Sequence, residues 1–160
     1  MGESVVKPRS FLLVCLVSAF LWAALIAGIA HAETTLDLNC CSIHANSWER
    51  NHLNERNLGL GITLRKGSWG LSTGFYDNSF RRTSKYLLAD WLPVHKGPFR
   101  AGVTAGLASG YSRKNITTAP WIGGFELALK LPAHLIARAL IVPSIGSTVG
   151  FLGMQVGVEL

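Results

Sequence analysis

From residue 33 onward the chain repeats one pattern: about ten residues in which apolar side chains alternate with small or polar ones, then a turn. Phe99, Ala101, Val103, Ala105 and Leu107 interleave with Arg100, Gly102, Thr104, Gly106 and Ala108. Trp121, Phe125, Leu127, Leu129 and Leu131 interleave with Gly124, Glu126, Ala128 and Lys130. A period of two sends alternate side chains to opposite faces of a strand. The pattern predicts eight strands, at roughly 36–45, 56–66, 68–77, 83–93, 98–111, 119–131, 134–142 and 148–159. Strands of this length with one greasy face suit a sheet that crosses a bilayer, where every backbone polar group must be paired within the protein. The expected fold class is therefore all-β, an eight-stranded antiparallel transmembrane β-barrel with its apolar face to lipid and its polar face inward.

The connections alternate in kind. Lys66-Gly67, Pro93 to Gly97 and the stretch around Pro132 are short; residues near 44–55, 78–82, 112–118 and 143–147 form longer or more polar loops. Outer-membrane barrels keep short turns on the periplasmic side and longer loops outside. The longer set is thus expected at the extracellular rim. Trp69, Trp91 and Phe99 flank the short turns, while Phe75, Tyr76 and Trp121 lie nearer the long loops. Two such belts fit the preference of amphipathic rings for membrane–water interfaces. Aromatic packing in a soluble sandwich is the competing reading. The signal peptide below and the inward charges Arg65, Arg100, Glu126, Lys130 and Arg138 count against it.

The first 32 residues depart from the repeat. Lys7 and Arg9 precede an apolar run from Phe11 to Ile29, and Ala30-His31-Ala32 offers a small-x-small cleavage site. This is the layout of a signal peptide, an uncleaved anchor helix being the alternative. The expected organisation is a leader over 1–32 and a barrel domain over 33–160, with the outer membrane of a Gram-negative bacterium as destination. The barrel domain carries 13 basic and 8 acidic residues, a net charge of +5. The basic residues form no helical stripe or aromatic-flanked patch, so no nucleic-acid partner is expected. A basic rim suits anionic headgroups at a membrane surface instead. Cys40 and Cys41 are adjacent and in no metal-ligand spacing, so neither a disulfide between them nor a metal is expected.

Strand one breaks the alternation. Leu36, Leu38 and Cys40 share one parity, whereas Ile43 and Ala45 hold the other. A β-bulge near Cys40-Cys41 reconciles the two and turns Ser42 and His44 inward. The rim then gathers His44, Asn51, Asn54, Glu55, Arg56, Asn78, Ser79 and Arg81. A histidine near a serine is a base–hydroxyl pair capable of nucleophilic chemistry; polar loop ends of no function are the bland alternative. His52, His95 and His134 fall in loops or beside turns and point to no chemistry.

The stretch from Ile43 to Tyr86 resembles the lipid A palmitoyltransferase family (PagP-like outer-membrane barrels). That family shows a strand ending W-H-A, a charged loop, N-E-R, a glycine-rich strand, a tight turn, and a strand ending D-S before an aromatic. Here the elements read Ile43-His44-Ala45, Asn54-Glu55-Arg56, Gly59-Leu60-Gly61, Gly67-Ser68-Trp69 and Asn78-Ser79-Phe80. Gly102-Val103-Thr104-Ala105-Gly106 and Val142-Pro143 are also similar. The resemblance implies acyl transfer from a phospholipid donor to a lipid A acceptor in the outer leaflet, by a membrane-embedded monomer needing no cofactor. His44 matches the family's histidine as general base. Ser79 matches its serine, as nucleophile or as a hydroxyl polarising the acyl carbonyl. Asn78 stands where the family has aspartate, to orient the histidine or bind the oxyanion; an amide orients a ring but carries no charge. Pro120 and Pro143, at the outer ends of strands six and seven, either open a lateral gap for lipid or simply end their strands. The chain lacks the family's amphipathic N-terminal helix, with only Glu33 to Thr35 before strand one. A structural or adhesive barrel and a lipid A deacylase remain the alternatives, since a fold does not decide among them.

Overall fold

The computed structural model describes residues 32–111, 121–144 and 150–160. The expected leader, Pro120, the loop at 112–118 and residues 145–147 lie outside the described residues. Eight strands follow one another: β1 Glu33–His44, β2 Gly59–Lys66, β3 Trp69–Asp77, β4 Thr83–Lys96, β5 Phe99–Ala108, β6 Trp121–Lys130, β7 Leu135–Val142 and β8 Phe151–Glu159. One short helix, α1 (Ser47–His52), sits in the connection between β1 and β2. Each strand pairs antiparallel with the next, and β1 pairs with β8, so the sheet closes into a barrel.

The predicted eight strands are all present, and the predicted bulge is too. Asn39 faces Gln155 but Cys41 faces Met154, so Cys40 is the extra residue on β1. Several strand ends shift by one to three residues, among them β1, which starts at Glu33 rather than 36, and β2, which starts at Gly59 rather than 56; one shift has a structural cause. The sequence reading ends strand four at Pro93, whereas β4 runs on to Lys96 through a second bulge between Trp91 and Val94. Proline has no N–H to give a ladder. The bulge absorbs it, and Val94, His95 and Lys96 resume pairing with Ala101, Arg100 and Phe99. The turn at Gly97 is then as tight as the one at Gly67, both glycines taking a positive φ near 60°.

The interior is polar and the exterior apolar. Thr35, Asp37, Thr63, Asp90, Ser84, Asn78 and His44 are almost fully buried, whereas Leu36, Leu60, Leu71, Phe75, Val103 and Phe125 are exposed. This inverts the arrangement of a water-soluble domain, in which large apolar side chains fill the core. Toward the short-turn end the lumen is closed by paired charges. Arg138 donates to Asp37 at 3.1 Å and to Thr63 at 2.6 Å, and Thr63 donates to Asp37. Arg65 lies 2.6 Å from Asp90 and 3.8 Å from Glu126. Arg100–Glu33 and Lys130–Glu159 pairs ring the end below them. Of the five charges read as inward from the sequence, Arg65, Glu126 and Arg138 are buried in the lumen, while Arg100 and Lys130 lie more exposed at its short-turn mouth.

Buried pairs of this kind are costly to break because the remaining charge is stranded. Arg138→Met should destabilise the barrel by about 3–5 kcal/mol, read by urea unfolding in detergent, and adding Asp37→Leu should recover much of that loss. Backbone crowding sets a second test. A Cβ at Gly102 would lie 1.9 Å from the Trp91 carbonyl oxygen, whereas at Gly123 the nearest atom would be 3.5 Å away. Gly102→Ala should cost about 1–3 kcal/mol in the same assay and Gly123→Ala well under that.

Candidate active site

The bulge decides which way the end of β1 faces. Thr35, Asp37 and Asn39 point inward. Unbroken alternation would continue with Cys41 and Ile43 and leave His44 on the outside. The extra residue at Cys40 resets the parity, so Ser42 and His44 are buried in the lumen while Ile43 is exposed.

Ser79 arrives from the hairpin between β3 and β4, which Asn78 builds. The Asn78 side-chain oxygen accepts from the N–H groups of Phe80 and Arg82, at 2.9 and 3.1 Å. Its amide nitrogen donates to the Ser84 hydroxyl at 3.0 Å and to the Gly110 carbonyl at 3.3 Å. An asparagine side chain that bonds backbone two residues on makes a local turn. Here the turn admits a positive φ at Arg81 and presents Ser79 toward β1.

The third participant comes from the α1 connection. Asn46 caps α1 by accepting from the Glu49 N–H at 2.9 Å. The chain then returns across the barrel mouth, where the Asn54 N–H donates to the Ser79 carbonyl at 2.8 Å. The Glu55 carbonyl accepts from the Ser42 N–H at 2.9 Å. This places the Glu55 carboxylate on His44: one oxygen accepts from the His44 backbone N–H at 3.0 Å and lies 3.4 Å from Nδ1. The His44 Nε2 is 3.0 Å from the Ser79 hydroxyl. A carboxylate only accepts, so it selects the tautomer with the proton on Nδ1, and Nε2 is left to accept from Ser79. Serine, imidazole and carboxylate thus stand in series. The imidazole is buried, while the Glu55 side chain keeps a third of its surface exposed.

Ser79 opens onto a cavity of about 90 Å³ inside the barrel, room for several waters and so a pocket rather than a packing defect. Leu88, Ile122, Leu140, Phe151 and Met154 give it apolar walls. Asn39, Tyr86, Gln155, Glu126 and Arg138 form its far end. Near the mouth the Tyr76 and Tyr111 hydroxyls are bonded to each other at 2.9 Å. Burial pushes the Tyr111 phenol above its usual range, so it stays neutral.

Of the three site residues expected from the sequence, the structure joins His44 and Ser79 and assigns Asn78 elsewhere. Both ends of its amide are used in the hairpin and none of its partners is His44. The expected orienting role is therefore corrected: Glu55, which the sequence places only among the polar rim residues, holds the ring instead. Asp77, adjacent in sequence, is exposed, as alternation requires. The chain matches no family model and no curated protein, so what the site can do rests on its own geometry.

The hairpin bonds make a direct prediction about Asn78. An aspartate there keeps the two acceptances but loses both donations and sets a negative charge against the Gly110 carbonyl. Asn78→Asp should destabilise the protein by about 1–3 kcal/mol, measured as a lower unfolding midpoint in detergent, and should not raise activity.

Proposed function

We propose that the protein is an outer-membrane acyltransferase that moves a fatty acyl chain from a phospholipid to lipid A. The observation that carries this reading is the Ser79–His44–Glu55 series at the mouth of a cavity with apolar walls. The exposed apolar exterior supports insertion in a bilayer, because a patch of that extent on a protein surface marks contact with lipid or another protein. A closed barrel satisfies its backbone internally, as lipid demands. Together with a leader-like N-terminus, this favours the Gram-negative outer membrane. The resemblance of the His44, Asn54-Glu55-Arg56 and Ser79 islands to the lipid A palmitoyltransferases points to the substrates. Exposed Arg50, Arg56, Arg81, Arg82 and Lys85 lie at the same end as the site and suit the phosphates of that acceptor.

The chemistry follows from the tautomer. Ser79 Oγ attacks the acyl carbonyl while its proton passes to His44 Nε2, and Glu55 stabilises the imidazolium that forms. The lyso-phospholipid oxygen leaves with that proton. The acceptor hydroxyl then gives its own proton to Nε2 as its oxygen attacks the acyl-serine; the Ser79 oxygen–carbon bond breaks and Oγ takes that proton back from Nε2, which restores Ser79 and the neutral imidazole. The acyl tail occupies the cavity throughout. Access from the side is favoured at β6, where Trp121 to Gly124 have no ladder partner on β7 among the described residues and Pro143 follows β7. A barrel with a purely structural role would also carry the charge network at its base. It would have no use for a buried histidine held between a serine and a glutamate.

Mass spectrometry of lipid A from cells with and without the protein tests the reading. A gain of one acyl chain is expected, lost in Ser79→Ala and reduced about 10²- to 10⁴-fold in rate in His44→Ala. Loss of one chain instead would identify a deacylase, and an unchanged profile with a folded barrel would leave the structural role. Glu55→Gln removes the charge but keeps the shape. It should slow transfer by about 10- to 10²-fold, the equivalent of the roughly 1.5–3 kcal/mol of a hydrogen bond to a charged group.

A further inference from the structure

We propose that Ser42 is a further catalytic group, its hydroxyl donating to the carbonyl oxygen of the acyl substrate as negative charge develops there. The proposal rests on the acyl-transfer reading above. That reaction forms a tetrahedral intermediate, and Ser79, His44 and Glu55 supply a nucleophile, a base and an orienting charge but no donor for the oxyanion. Such a donor is worth most when it is fixed beforehand in a water-excluded site.

Ser42 meets these conditions. It is 5% exposed, it lines the same cavity as Ser79, and its Oγ has no hydrogen-bond partner among the described residues. A buried hydroxyl without an acceptor is unfavourable for folding alone, so its presence calls for a reason. Its place explains it. Ser42 and His44 lie two residues apart on one face of β1, about 6.5–7 Å along the strand, both turned inward by the Cys40 bulge. Across the β1–β8 ladder Ser42 faces Gly153, which adds no side chain to the space beside it. The Ser42 N–H is held by the Glu55 carbonyl, and the Glu55 carboxylate holds His44, so one loop residue fixes both groups in register. A carbonyl carbon set against Ser79 Oγ can turn its oxygen toward Ser42.

In the step itself the Ser79 oxygen–carbon bond forms and the Ser79 proton goes to His44 Nε2. The carbonyl π pair moves onto oxygen, where Ser42 donates a hydrogen bond and keeps its own proton. Collapse returns the pair and expels the lyso-phospholipid oxygen, which takes the proton from His44.

The test uses the full barrel in detergent micelles with a diacyl phosphatidylethanolamine donor and lipid A acceptor, alongside labelling by an alkyl fluorophosphonate mapped by mass spectrometry. Ser42→Ala should lower kcat about 10²- to 10³-fold with KM within threefold of the unmodified protein. Ser42→Thr, which keeps the hydroxyl, should recover most of the rate. Ser42→Cys, which keeps the volume but donates weakly, should behave as alanine does and serves if the alanine variant fails to fold. Unchanged kcat in Ser42→Ala, or a raised KM with kcat intact, overturns the role of Ser42 while leaving the acyl-transfer reading standing. Labelling of Ser42 in place of Ser79 overturns the assignment of donor and nucleophile together. An unmodified barrel that neither transfers acyl groups nor takes the label overturns the acyl-transfer reading, and with it the role of Ser42.

Discussion

In a closed sheet every side chain is given its face by a count of two, and each departure from that count must be made up by the backbone. Among the described residues this barrel departs twice. The bulge in β4 carries Pro93 through a ladder it cannot join. The bulge at Cys40 has the larger consequence, because it divides β1 into a lower part that sets Asp37 against Arg138 and an upper part that sets His44 against Ser79. Without the extra residue one of the two would face outward. The charge network and the candidate site are thus satisfied on a single strand by one inserted position.

The lumen is divided along its length in the same way. Polar groups in a low-dielectric interior interact strongly and are expensive to leave unpaired. At the short-turn end the Arg138, Asp37 and Thr63 cluster joins three strands, and Arg65 with Asp90 and Glu126 joins three more positions around the ring. Toward the long loops the walls become apolar and a cavity opens, with Ser79 at its lip. Rigidity therefore comes from below and free space lies above. A site built on strands braced by such a network holds its geometry better than one carried by loops alone, and only Glu55 and Ser79 are supplied by loops here.

How much of this was legible in the chain depends on whether local rules decided the matter. The eight strands follow from alternation, and the Cys40 bulge follows from the parity conflict between Leu38 and Ile43, because both are local counts. The continuation of β4 past Pro93 was hidden, since a proline reads as a strand end until a bulge is seen to accommodate it. His44 and Ser79 stood out as a pair by resemblance and by their common end of the barrel. Their approach to 3.0 Å is a fact of tertiary structure. The work of Asn78 and Glu55 was out of reach for a related reason. The resemblance puts Asn78 beside the histidine, but its hydrogen bonds run to its own hairpin and to Gly110. Glu55 reaches His44 only because Asn54 and Glu55 tie the α1 connection to Ser79 and Ser42 through the backbone, contacts that side-chain patterns do not encode.

The buried ion pair between Asp37 and Arg138 also bears on how the barrel is made. Asp37 and Arg138 are 101 residues apart in sequence, on strands that meet only through β8 and the closing seam. An open sheet that has laid down β1 but not β7 holds a carboxylate without its guanidinium, and a charge stranded in a low-dielectric setting is heavily penalised. Partial sheets are for that reason poor resting states. The seam between the first and last strands and the neutralisation of the interior arrive together, which makes assembly of this small barrel an all-or-none event set by its last strands to dock.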